Sequence, residues 1–104
     1  MIIKNKEEKF EITVYKGLGT LKGLMFKKIK NDGAILIFNG ENFIAIHTFF
    51  VFNKIDLIYL NENKEVIKIK RGVKPFRILA PEKAKYILEL KTKNNIKEKD
   101  KLNF

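Results

Sequence analysis

The chain has 104 residues, a hydrophobic share of 45% and a formal net charge of +10, and it contains neither cysteine nor serine. This size fits one domain, and the composition excludes disulfides and the usual serine and cysteine nucleophiles. Its apolar stretches are much shorter than the roughly 20 residues that cross a bilayer, and its N-terminus lacks a signal-peptide pattern. We therefore expect a single cytoplasmic domain over residues 1–104, with no membrane partner.

The first half of the chain predicts strands separated by glycine-rich turns. Residues 10–14 alternate apolar and polar side chains, as in a half-buried strand. Residues 17–28 predict a glycine-rich entry into one or two helical turns, because three apolar residues there have helical spacing. Residues 34–38 and 43–47 predict an antiparallel hairpin that turns at residues 39–42, where Asn39-Gly40 is a turn signal.

The second half predicts another hairpin, in which residues 55–60 and 65–73 are strands joined by a loop at 61–64. In the second of these strands the alternation places Ile67 and Ile69 inward.

Residues 81–85 suit a first helical turn, with Pro81 at its first position. A last strand follows at residues 86–90. It places Tyr86, Leu88 and Leu90 on one face and Glu89 on the other. We expect residues 1–8 and 92–104 to be edge or mobile segments.

These elements predict a mainly β fold at the margin of the α+β class. The expected architecture is a small antiparallel β-barrel or sandwich with one or two short helical turns and one shared core.

Three segments, in order, give the chain a family resemblance. They are GLMF at 23–26, IHTFFVF at 46–52 running into IDLIYL at 55–60, and KPF at 74–76 followed by AKYILEL at 84–90. Together they resemble the archaeal branch of domain of unknown function 192. The resemblance implies a compact β-rich fold, no established activity and a family glutamate at Glu89. Two positions depart from the family pattern, with Lys54 in place of a proline and Lys99 in place of a glycine.

Asp56 is the most informative polar residue, because a carboxylate inside the apolar run 55–60 must be hydrogen-bonded or paired. One interpretation is structural: Asp56 accepts backbone N–H groups from the adjacent turn or pairs with a lysine. The other is a ligand pocket that Asp56 shares with His47, Thr48 and Glu89. Glu89 has its own structural alternative, an exposed cross-strand pair with a lysine.

The positive charge suggests a basic surface formed by Lys68, Lys70, Arg71 and Lys74. Lysine dominates this charge, whereas specific recognition of nucleic acid favours arginine. The glycine-rich residues 17–23 match neither the dinucleotide fingerprint nor the P-loop.

The function that the sequence favours is a non-catalytic binding module with a shallow pocket near His47 and Asp56 for an unknown small ligand. One alternative is a basic protein that associates with nucleic acid without sequence specificity. The other is a small hydrolase or transferase that uses His47 and Asp56. We predict no cofactor and no metal site, since a single histidine with carboxylates is a poor zinc ligand set.

Overall fold

The computed structural model describes residues 1–16, 31–47, 54–74 and 77–104, without the side chains of residues 42, 44–47 and 78. The described residues contain six strands and no helix. These strands are β1 (Ile2–Asn5), β2 (Glu8–Lys16), β3 (Gly33–His47), β4 (Ile55–Leu60), β5 (Val66–Val73) and β6 (Ile78–Leu90). The mainly β class is confirmed, and the predicted helical turns within residues 17–28 lie outside the described residues.

All six strands belong to one curled sheet, which forms a half-barrel with the order β1-β2-β3-β6-β4-β5. The five segments predicted as strands at 10–14, 34–38, 55–60, 66–69 and 86–90 are therefore confirmed as parts of one sheet. The sheet is mixed, because β2 and β3 pair in parallel while the other pairs are antiparallel. Residues 17–32 supply the dozen or more residues that a parallel connection requires.

The predicted hairpin at residues 39–42 is wrong. Residues 34–38 and 43–47 belong to the single strand β3, and both halves pair with β6. The register shifts between Ile37 and Asn42, and Gly40 within this irregularity has a φ of 91°. The glycine therefore accommodates a distortion of a continuing strand instead of reversing the chain.

The predicted helical turn at 81–85 is also wrong, because these residues lie within β6. Pro81 falls where the pairing jumps from Ile44↔Glu82 to Ile46↔Leu79. Proline has no N–H to donate and is tolerated at such an irregularity.

Ile67 is 40% exposed and does not face inward as predicted. It is the extra residue where the β4–β5 register shifts between Tyr59↔Lys68 and Leu60↔Val66. Ile69 is partly buried and packs against the apolar residues of one sheet face, as expected.

The apolar side chains form two clusters on opposite faces of the sheet, so the prediction of one shared core is wrong. The tail-side cluster is Ile3, Phe10, Ile12, Ile35, Ile58, Leu60, Val66, Tyr86, Leu88, Leu90, Ile96 and Leu102. The Glu89-side cluster is Leu36, Phe38, Ile55, Leu57, Tyr59, Val73, Ala84 and Ile87. Both faces of β4 and of the end of β6 are therefore buried, as for a central strand covered on each side.

The C-terminal segment (residues 91–104) lies across the tail-side cluster and connects the two edge strands. Two backbone hydrogen bonds, at 3.0 and 2.9 Å, join Asn103 to Lys4 of β1. Another, at 2.8 Å, joins Asp100 to Val66 of β5. Ile96 and Leu102 of this segment are buried in the tail-side cluster. The half-barrel is thus closed between its edges by a segment that contains almost no regular strand.

Candidate functional site

Asp56 lies on the tail-side face, where three donors bind its carboxylate. Its carboxylate accepts hydrogen bonds from Arg71 Nη1 at 2.7 Å, Asn94 Nδ2 at 3.1 Å and the Gly72 backbone N–H at 2.9 Å. Arg71 also donates to the Asn94 side chain, at 2.7 Å, and to the Ile96 carbonyl. Asp56 thereby links β4, β5 and the C-terminal segment in one polar network.

A β-bulge creates this arrangement. β4 and β5 pair at Leu57↔Lys70 and then at Ile55↔Val73, so that Arg71 and Gly72 together oppose Asp56. Gly72 has a φ of 58°, in the left-handed region that glycine adopts without strain. The bulge turns the Gly72 N–H and the Arg71 guanidinium toward the same carboxylate.

Beside this network lies an open cavity of about 520 Å³, lined by Glu8, Asp56, Arg71, Lys93, Asn94, Asn95, Ile96 and Lys97. Most of its polar groups are already engaged inside the protein. Both carboxylate oxygens of Glu8 accept from the Asn95 backbone N–H, at 3.0 and 2.9 Å. These contacts hold the C-terminal segment in place and leave few unpaired groups for a ligand.

Glu89 lies on the opposite face of the sheet and has none of these interactions. Its side chain is fully buried between Ala34 of β3 and Leu57 of β4. Neither carboxyl oxygen has a hydrogen-bond partner among the described residues. Burial raises the pKa of Glu89 well above its usual value, because the low-dielectric surroundings disfavour the charged form. The structural alternative of an exposed ion pair is therefore wrong.

Tyr59 lies on the same face as Glu89, two residues along β4 from Leu57, which pairs with Glu89. Its side chain is fully buried, and its hydroxyl also lacks a partner within the described part of the chain. Burial raises the pKa of Tyr59, and the nearby Glu82 and Glu89 carboxyls add to this effect.

An ion pair lies at the rim of the same face. Lys70 Nζ is 3.2 Å from a carboxylate oxygen of Glu82, donates to the Ala80 carbonyl at 3.1 Å and lies 5.2 Å from the Tyr59 ring centroid. Glu82 therefore has its own cation, whereas Glu89 has none among the described residues.

The structure does not bring the four predicted pocket residues together. Asp56 and Glu89 point to opposite faces, because Asp56 pairs with Leu90 and Leu57 pairs with Glu89. His47 pairs with Ile78, at the other end of β6 from Leu90. The side chain of His47 and the whole of Thr48 lie outside the described residues.

The four predicted basic residues do not share one face. Lys68 and Lys70 pair with Tyr59 and Leu57 and so lie on the Glu89-side face, whereas Arg71 binds Asp56 on the tail side. Lys74 is exposed beyond the end of β5.

Two residues of these sites had no separate role in the sequence analysis. Tyr59 follows Ile55 and Leu57 at every second position, and a phenol in such a buried alternation is a detectable signal. Asn94 gives no such signal, because its role depends on how the C-terminal segment folds back. The described residues include no group of three or more histidine and acidic side chains arranged to hold a metal.

The fold and these two sites define a small half-barrel domain with a buried carboxyl group on one face that has no hydrogen-bond partner among the described residues. The chain belongs to the family of domain of unknown function 192, whose model is described as "Uncharacterized ACR" and matches residues 1–104. The described residues form no helix that could cross a membrane.

Archaeal relatives support this membership. A UPF0127 protein of Pyrococcus furiosus is 35% identical over 92 residues, which is 85% of this chain and 78% of that protein. A UPF0127 protein of Thermococcus sibiricus is 37% identical over 71 residues, 65% of this chain but only 46% of the relative. A crystal structure of a candidate transcription regulator from Sinorhizobium meliloti has the same fold. Its TM-score is 0.69, with 16% identity and coverage of 98% of this chain and 88% of that chain.

Proposed function

We propose that this protein is a non-catalytic binding module for a small ligand and that Glu89, instead of Asp56, marks the binding site. The observation that carries this proposal is the fully buried Glu89 carboxyl, which has no partner among the described residues. Burying an unpaired polar group costs about 1 to 3 kcal/mol, so such a group calls for an explanation, and a functional role is one. Asp56 is fully hydrogen-bonded inside the protein and needs no ligand to explain it.

The hydrolase or transferase alternative loses its support, because His47 and Asp56 are paired with opposite ends of β6. The nucleic-acid alternative has support only from the net charge of +10. Its proposed residues are divided between two faces, and Lys70 and Arg71 are already paired with carboxylates.

A thermal-shift screen of a small-molecule library tests the proposal. Compounds that stabilise the wild type are then measured against Glu89→Leu and against Lys93→Ala, which alters the cavity beside Asp56. We expect binding to be lost in Glu89→Leu and retained in Lys93→Ala. Binding that survives Glu89→Leu but is lost in Lys93→Ala would transfer the site to that cavity.

A gel shift with mixed DNA and RNA at about 0.15 M salt separates the nucleic-acid alternative. We expect no binding tighter than the roughly 10⁻⁴ M typical of weak non-specific association. Tight binding that weakens steeply with salt and is lost on replacing Lys68 and Lys74 would favour that alternative.

A further inference from the structure

Strand β5 forms one edge of the sheet. It is the last strand in the order and pairs with β4 alone among the described strands. The C-terminal segment covers its outer edge at the first residue, where the Val66 N–H donates to the Asp100 carbonyl and the Val66 carbonyl accepts from the Lys99 N–H, each at 2.8 Å. Beyond Val66, no described backbone group pairs with this outer edge. Such an edge presents N–H and C=O groups on which a further strand can form.

The side chains of β5 give this edge a positive charge. The strand contains Lys68, Lys70 and Arg71 and no acidic residue. The side chain of Lys70 is 18% exposed and pairs with Glu82. Lys68 is exposed and has no ion pair among the described residues, and the side chain of Arg71 is 44% exposed although it binds Asp56. Lys68 and Arg71 are therefore the accessible cations of the edge.

These two cations lie on opposite faces of the sheet. Lys68 lies on the Glu89-side face, whereas Arg71 lies on the tail side. A polyanion lying flat on one face would reach only one of them. The side chains of an added strand alternate between the two faces, so a single strand can bring a carboxylate to each cation. The division of the basic residues thus favours an added strand over a flat polyanion.

The charge of the edge also excludes a second copy of this chain as the added strand. Two β5 edges would place cations against cations, and the whole chain carries a net charge of +10. Lysines and β-bulges are features that keep edge strands from pairing with one another. Register shifts lie on both sides of the regularly paired residues Lys68, Ile69 and Lys70, so the partner segment is short.

We propose that the outer edge of β5 binds a short, acidic, extended segment of a partner protein by strand addition. The backbone of that segment pairs with β5 around Ile69, and its carboxylates contact Lys68 on one face and Arg71 on the other. Ile67, which is 40% exposed, adds an apolar contact at the same edge. This inference goes beyond the proposed function and does not depend on it, because it concerns a different surface and a different class of partner.

The test titrates the isotopically labelled full chain with the capped peptide Glu-Thr-Val-Glu-Val and follows the backbone amides by NMR. We expect the largest shifts at residues 67–71 and no binding of the charge-reversed peptide Lys-Thr-Val-Lys-Val. Two versions of the acidic peptide, N-methylated at alternate residues, block opposite edges of the added strand. One of them should bind at least about tenfold more weakly than the other, because only its methyl groups face β5.

A pair of charge-reversal variants gives the second readout. Lys68→Glu should weaken binding of the acidic peptide at least about tenfold, because a like charge then faces the partner. Lys83→Glu makes the same change of charge at an exposed position of β6 and should have little effect.

Equal losses in Lys68→Glu and Lys83→Glu, or equal binding of the two methylated peptides, would overturn strand addition, because long-range charge alone would then account for the binding. Absence of shifts at residues 67–71 with millimolar peptide would also overturn it. Mixed-sequence single-stranded DNA that binds at these amides more tightly than the peptide would overturn it in favour of the nucleic-acid alternative.

Discussion

Asp56 of β4 and Glu89 of β6 are carboxyl side chains on paired central strands, one pairing position apart. Their surroundings are nevertheless opposite. Asp56 faces the tail side, where it accepts three hydrogen bonds and is 18% exposed. Glu89 faces the other side, where it is fully buried without a described partner. The difference teaches that burial of a carboxyl does not by itself mark function. Burial together with missing partners is the observation on which the proposed role of Glu89 rests.

The largest effect on stability is expected where the C-terminal segment covers the tail-side face. Ile96 is fully buried, and its carbonyl accepts from Arg71. Ile96→Ala should lower the free energy of unfolding by about 2 to 5 kcal/mol, because it leaves a cavity in the tail-side cluster. Urea denaturation measures this change, and Lys97→Ala, at the exposed neighbouring position, should stay within about 0.5 kcal/mol. Equal, small changes in both variants would show that the segment does not hold the Asp56 face together.

A smaller loss of stability is expected when Asp56 itself is changed. Asp56→Asn keeps the shape but places an amide N–H₂ where Arg71, Gly72 and Asn94 require an acceptor. The free energy of unfolding should fall by about 1 to 3 kcal/mol in a thermal or urea melt. The exposed Glu98→Gln is the matched control and should be nearly neutral. Near-neutral behaviour of Asp56→Asn would mean that its network contributes little, and the contrast with Glu89 would then disappear.

The smallest effect concerns the turn that leads the C-terminal segment back to the edge strands. Lys99 has a φ of 75°, in the left-handed region, at the position where the family resemblance implied a glycine. Lys99→Gly should therefore stabilise the protein by about 0.5 to 1 kcal/mol. Lys97→Gly, at a position without positive φ, should instead destabilise it. If both variants lose stability equally in denaturant melts, the left-handed conformation at Lys99 is not costly.

The sequence predicted those features that depend on local pattern. Alternation located the strands around Phe10, Ile58 and Leu88, and the position of Asp56 in an apolar run predicted that it needs partners. The partner itself was missed, because Arg71 reaches Asp56 only through a β-bulge that the alternation of residues 65–73 does not reveal.

Predictions from the sequence were wrong where one sequence pattern is compatible with two local structures. Asn39-Gly40 is compatible with a hairpin turn or with a bulge in a long strand, and only the common partner β6 distinguishes them. The isolation of Glu89 was equally unpredictable, because it depends on the residues that two neighbouring strands place around it.

The central claim is that the Glu89 carboxyl is buried and has no partner in the described part of the chain, and the pH dependence of unfolding tests it most directly. In the unfolded chain Glu89 ionises near 4.5, whereas burial raises its pKa in the folded protein. Between these two pKa values the folded state binds more protons, so rising pH favours unfolding by up to about 1.4 kcal/mol per pH unit. Glu89→Gln should not show this loss of stability with rising pH, whereas Asp56→Asn should still show it. We therefore predict that the stability of Glu89→Gln relative to the wild type increases as pH rises above about 4.5. A difference between the two that stays constant from about pH 4.5 to 8 would contradict the account, because Glu89 would then ionise as an ordinary, compensated carboxylate.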